Sequence, residues 1–236
     1  LVILVTGTAV TAMSMARSDE LAGDRAARTF DQVAADVASS LRLELRSQED
    51  LVVSASAVAA ADPDVTSAEL TAWVESVRAT ERYPDLVGLA FVRNVPRAEL
   101  RRYLETLAAD PASGVTAVPD DPTSAITPAG DRDRHCLIQA IGYVDGPIPA
   151  PPTYDACTEE PVASTFDTGA RTGRSTVRSG LADQAGERTL LVTTPVFATG
   201  RTPASVQSRL DAHLGGIATQ VGQIQARRGV VQDSHD

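Results

Sequence analysis

The chain has 236 residues, enough for one or two domains with a core of their own. Aromatic residues make up only 4% against 43% hydrophobic residues overall, so the interior must be built from Ala, Val, Leu and Ile. A net charge of −10, with all 21 basic residues arginine, excludes a general positive field for nucleic acid, and Arg227-Arg228 is too small a basic patch to supply one.

The least polar stretch is Leu1 to Met13, opening with Leu1-Val2-Ile3-Leu4-Val5. It is shorter than the ~20 apolar residues that span a bilayer. It reads as the outer end of a transmembrane helix, residues 1–16. Two alternatives stay open: a signal-peptide remnant, since Ala12-Met13-Ser14 and Ser14-Met15-Ala16 fit the small-x-small cleavage form, and a buried strand or helix end.

From Ser18 to Ala61 there is no proline, and apolar residues recur at Phe30, Val33, Val37, Leu41, Leu45, Val52, Ala55 and Val58 in steps of mostly three or four. That period predicts one long amphipathic helix, whose length suits a stalk packed on a partner stalk or on its own domain. Asp62-Pro63-Asp64 ends it. Thr66-Ser67-Ala68-Glu69 then forms a capping-box pattern, ahead of a helix with Leu70, Trp73, Val74 and Val77 on one face. Leu86 to Val92 is a near-continuous apolar run, hence a buried strand. Pro96 opens another helix with Leu100, Tyr103, Leu104 and Leu107 inward.

Asp110 to Gly114 reads as a turn, Val115 to Val118 as a doubtful strand, and Pro119 to Asp133 as a surface loop. His135 to Val144 is a second apolar strand, Asp145 to Pro152 a loop, and Thr158 to Thr168 a short helix. Ser175 to Ala182 and Arg188 to Phe197 are two strands joined by a hairpin at Asp183-Gln184-Ala185-Gly186. A last helix starts at Thr202-Pro203, carries Val206, Leu210 and Leu214, and stops at Gly215-Gly216. The order implies an α+β fold, an antiparallel sheet with helices on one side, compatible with a PAS-like sensor module.

Two cysteines, Cys136 and Cys157, flank the Pro-rich segment with Pro147, Pro149, Pro151 and Pro152. An even count in a chain that leaves the cytoplasm points to one disulfide; two unrelated buried thiols are the alternative. With only His135 nearby and no Cys-x-x-Cys pair, no metal site is expected. Catalysis finds no machinery either: the three histidines, His135, His213 and His235, lie in no nucleophile motif, and Gly169, Gly173 and Gly180 lack the spacing of a phosphate loop. Asp120-Asp121 and Asp131-Arg132-Asp133-Arg134 read as solvated loop charge. No cofactor is implied.

The run Arg82-Tyr83-Pro84-Asp85-Leu86-Val87-Gly88-Leu89-Ala90-Phe91-Val92-Arg93-Asn94-Val95 resembles the opening motif of the CHASE family, extracellular sensor domains of histidine kinases, nucleotide cyclases and diguanylate cyclases. Charged Arg97, Glu99 and Arg101 follow. Then come Asp155, Thr172-Gly173, the strands Ser175 to Leu181 and Leu190 to Phe197 with Pro195-Val196-Phe197, and Thr202-Pro203 with Leu214-Gly215-Gly216. The resemblance covers Phe30 to Ile217.

It implies a long stalk helix, residues 17–62, a distal PAS-like sensor lobe, residues 63–217, and in residues 218–236 the start of a truncated proximal lobe or a disordered tail. It also implies a ligand pocket in the distal lobe. By similarity to plant receptor kinases of the family, Asp155 would bond a polar ligand edge, Val177 would form an apolar wall and Thr193 would offer a hydroxyl. Asp155 also reads as a helix N-cap before Thr158-Glu159-Glu160, and Val177 and Thr193 as plain strand residues. The function implied is extracytoplasmic sensing of an unknown small molecule by a cell-membrane receptor. Its N-terminal segment would sit in the membrane, its stalks would pair as a homodimer, and a kinase or cyclase output would lie outside this chain. The alternative is an extracytoplasmic structural or interaction module, or a decayed receptor.

Overall fold

A computed structural model describes residues 2–109, 113–144, 151–182 and 188–221. The proline-free N-terminal segment is helix α1 (Val2–Ala61), which starts earlier than its periodicity alone indicated. Among the described residues, no helix is long and apolar enough to cross a membrane. The chain divides into two units, one taking in residues up to Leu45 and the other Arg46–Gln225. Within the first, Phe30, Val33, Val37 and Leu41 are exposed. Within the second, Leu51, Val52, Ala55 and Ala59 on the last turns of α1 are buried.

Pro63 cannot continue α1, and the Asp62 side chain accepts from the Asp64 N–H at 3.0 Å to fix the turn. Helix α2 (Ser67–Ser76) opens with the capping box expected from the sequence: Thr66 accepts from the Glu69 N–H, and Glu69 accepts from the Thr66 N–H at 2.9 Å. The hydrogen bonds that the Thr66 N–H and hydroxyl donate to it hold the Glu69 carboxyl below its ordinary pKa. A short helix, α3 (Ala79–Arg82), leads into the sheet.

Among the described residues, five strands form one antiparallel sheet: β1 (Leu86–Pro96), β2 (Arg134–Val144), β3 (Thr176–Ala182), β4 (Arg188–Phe197) and β5 (His213–Val221), in spatial order β2-β1-β5-β4-β3. Helix α4 (Leu100–Ala109) lies between β1 and β2 in the chain, α5 (Glu160–Thr172) between β2 and β3, and α6 (Val206–Ala212) between β4 and β5. The long helix, antiparallel sheet and flanking helices make the α+β class read from the sequence.

β1 separates two apolar clusters. Leu89 and Phe91 pack with Leu51, Val52, Ala55 and Ala59 of α1, with Leu70 and Val74 of α2, and with Val192 and Ile217. Val92 belongs to a different cluster, with Cys136, Val162, Phe166 and Leu191. The alternation of side chains along a strand puts neighbours on opposite faces, so α1 covers one face of β1 and α5 residues the other. Burying a Phe or Leu fully contributes about 1.5–3 kcal/mol, and Phe91, Leu89 and Leu70 are all but completely buried. A third cluster joins Leu100, Tyr103, Leu104 and Leu107 of α4 to Val95, Ile126 and Leu137. Burial there pushes the Tyr103 hydroxyl well above the ordinary tyrosine pKa.

The expected last helix and domain end need correction. The helix stops at Ala212, and Gly215-Gly216 lies inside β5, the middle strand of the sheet. β5 also runs past Ile217, where the sensor lobe was expected to close. The physical reason is close approach: Gly215 sits at φ 147°, and a Cβ there would lie 2.1 Å from the Val92 carbonyl oxygen. Val115 and Val118 form no strand; they pack against the α4 cluster. The expected hairpin at 183–186, and the loop at Asp145 to Pro152 up to Ala150, lie outside the described residues.

Candidate functional site

Asp155 sits beside the outer edge of β2, bridged to Leu137, and is fully buried. Its carboxylate meets four donors. Oδ1 accepts from the backbone N–H of Cys136 at 2.9 Å and of Cys157 at 3.1 Å. Oδ2 lies 2.9 Å from His135 Nδ1 and 3.4 Å from Arg132 Nη1. A carboxylate oxygen only accepts, so His135 donates from Nδ1. Asp155 also caps the short 3-10 turn Ala156–Thr158. The carboxylate that the resemblance assigned to a ligand edge is thus engaged by the protein; it caps the 3-10 turn and not the helix expected from the sequence, since α5 has Glu159 at its N-cap.

Cys136 and Cys157 are joined in a disulfide, with Cα atoms 5.3 Å apart. It closes a loop of 21-residue separation, worth about 3 kcal/mol in the chain-entropy model. Cys136, Cys157 and Asp155 cluster closely enough to suggest metal ligands. The two sulfurs are bonded to each other, however, and the carboxylate holds the backbone of both cysteines.

Val177 and Thr193 do not join Asp155. In the β3–β4 register Val177 faces Val192 and Thr176 faces Thr193, so Val177 and Thr193 project from opposite faces of the sheet. Val177 is 44% exposed, while Thr193 is buried and shares a 2.7 Å hydrogen bond with the Thr176 hydroxyl. β3 is the far edge from β2, four strand spacings or roughly 19 Å away. The three residues therefore line no common pocket.

A cleft lies elsewhere, on the face of the sheet near α5. Its free space is about 10 Å³, the room of one water molecule. β1 contributes Val92 and Asn94, β2 Arg134 and Cys136, β5 His213 and Gly215, and α5 Phe166 and Asp167; Cys157 completes the wall. Arg134 and Asp167 form an ion pair with both side chains nearly half exposed, so the cleft reaches the surface.

Two buried polar atoms in this wall, Asn94 Oδ1 and His213 Nε2, have no hydrogen-bond partner among the described residues. Burial lowers the His213 pKa to about 4, the positive charge of Arg134 adds to the effect, and a backbone hydrogen bond with Gly215 and the charge of Asp167 oppose it. The ring is neutral at pH 7. His135 Nε2 and Gln139 Oε1 are likewise buried without a partner among the described residues, but neither residue lines the cleft.

Neither Asn94 nor His213 was singled out as a ligand group by its sequence context. The available signal was the paired glycine after His213: two adjacent glycines in an apolar run mark close backbone approach, which places the preceding histidine beside a neighbouring strand.

No curated protein matches the chain. The family model described as the CHASE domain matches residues 63–226, most of the chain and all five strands. The chain belongs to the CHASE domain family, sensor domains of signalling receptors.

Proposed function

We propose that this chain is the extracytoplasmic, ligand-sensing part of a cell-membrane receptor, and that it passes a small-molecule signal along α1 to a kinase or cyclase output outside the chain. The observation that carries the reading is the double use of β1. Its Leu89 and Phe91 pack on the last turns of α1, while Val92 and Asn94 wall the cleft on the other face. A ligand that shifts β1 acts on both faces of the strand, and it signals to the extent that it binds the two arrangements unequally. The disulfide supports an oxidising compartment outside the cytoplasm, and the apolar residues Leu1 to Val5 support membrane attachment at that end.

The exposed stripe of Phe30, Val33, Val37 and Leu41, spaced three, four and four residues apart, supports pairing of this segment with a second copy. The domain itself catalyses nothing in this reading.

The test is a thermal-shift screen of small metabolites against the intact chain. A true ligand at 100 times its Kd raises stability by about 2.7 kcal/mol. A folded chain that no compound in a broad library stabilises overturns the sensing role. Sedimentation of the chain with Val33→Glu and Val37→Glu tests the pairing: a dimer is expected for the parent and a monomer for the variant.

A further inference from the structure

The sensing reading above leaves the ligand's chemistry open, and the cleft narrows it. We propose that the cleft between β1, β5 and α5 receives a neutral hydrogen-bond donor of the ligand, an NH2 group of amide type fitting best, with Asn94 Oδ1 and His213 Nε2 as its two acceptors. This inference rests on the sensing reading.

Three observations fix the class. Both atoms are buried without a partner among the described residues; Asn94 Oδ1 is an acceptor by its amide, and in the proposed pairing the neutral His213 ring carries its proton on Nδ1 and leaves the Nε2 lone pair bare, so an anion brings lone pairs against lone pairs. The field at the imidazole is set more by Arg134 than by Asp167, which disfavours a cationic donor at the same place. The free space is about one heavy atom with its hydrogens, and the wall beside it is apolar, from Phe166, Val92 and the disulfide. A head group of one nitrogen with two hydrogens meets two acceptors in that room, while the rest of the molecule lies outward, past the Arg134–Asp167 pair at the rim.

A buried acceptor left unpaired is costly, and this is the basis of discrimination. A site built to bond a donor rejects an analogue that lacks it far more strongly than a merely apolar site rejects a missing methylene.

The experiment uses the intact chain and three probes of similar size: propionamide, methyl acetate and propylammonium. The readouts are the ring 15N resonances of His213 and the melting temperature. Expected is a His213 Nε2 that resonates as a bare lone pair in buffer and moves on adding propionamide. Methyl acetate and propylammonium should bind about tenfold or more weakly, and Asn94→Leu and His213→Phe should abolish the propionamide response.

An Nε2 already hydrogen-bonded in the free protein, through an ordered water or a turned-over Asn94 amide, and unmoved by propionamide overturns the proposal. Equal response to methyl acetate or propylammonium also overturns it. If a screened metabolite stabilises the parent and both variants alike, the domain still senses but this cleft is not the site. If no metabolite stabilises any of them, the sensing role itself fails.

Discussion

Two buried polar clusters share the disulfide as a boundary and are completed differently. Around Asp155, two backbone N–H groups, an imidazole and a guanidinium all converge on one carboxylate. In the neighbouring cleft, the amide oxygen of Asn94 and the Nε2 of His213 find nothing in the described protein to bond. In the first cluster the Asp155 carboxylate is fully engaged by protein donors and ties the Cys136–Cys157 loop to β2, although His135 Nε2 on its far side has no partner among the described residues. In the second, the hydrogen bonding is incomplete among the described residues, which is what the proposed ligand would complete.

The comparison can be broken most sharply at Asp155. Asp155→Ala leaves His135, Arg132 and two backbone donors without their acceptor, and is expected to destabilise the fold by about 3–5 kcal/mol in guanidinium denaturation. A loss below about 1 kcal/mol would move Asp155 out of the architectural class. Next comes the disulfide itself. Replacing Cys136 and Cys157 together by serine should cost about 3 kcal/mol by the same measurement.

His213 gives the comparison a pH signature. Its folded pKa of about 4 lies below the ordinary 6.5, so the unfolded chain takes up the proton first as pH falls. The stability due to the neutral ring is complete above pH 6.5 and is lost on descending towards pH 4. The expected loss is up to about 3 kcal/mol. His213→Leu should flatten the difference between pH 7 and pH 4 relative to the parent, with Arg134 and Asp167 left in place. An identical slope in both proteins would contradict the buried neutral ring. The smallest effect belongs to Asn94. Asn94→Leu removes an acceptor that bonds nothing in the described protein, and should change stability by less than about 1 kcal/mol.

Much of the fold was legible because local chemistry and global burial agree. The three-four spacing gave α1, Thr66 and Glu69 gave the start of α2, and apolar runs gave β1 and β2. β5 was illegible for a physical reason. His213-Leu214-Gly215-Gly216 carries the residues of a helix stop, and the strand is made by its neighbours: β1 and β4 flank it on both sides and supply the hydrogen bonds that its own sequence does not advertise.

The candidate cleft was hidden by the same omission. With β5 absent from the reading, His213 stood near a helix end instead of beside Asn94 and Cys136, and no spacing in the chain connects residues 94, 136 and 213. The disulfide was legible from cysteine count alone. The cleft it borders required the tertiary pairing.

The late position of β5 has a consequence for how the domain is made. Strands β2 and β1 form one pair and β3 and β4 another, and the backbone hydrogen bonding of the sheet joins the two pairs through residues 213–221. As the chain leaves the ribosome, both halves must wait with open edges until this last segment emerges, an arrangement that slows folding and invites misassembly. Nascent chains arrested before His213 should therefore stay sensitive to protease, and release of the segment through Val221 should be the moment at which the sheet becomes resistant.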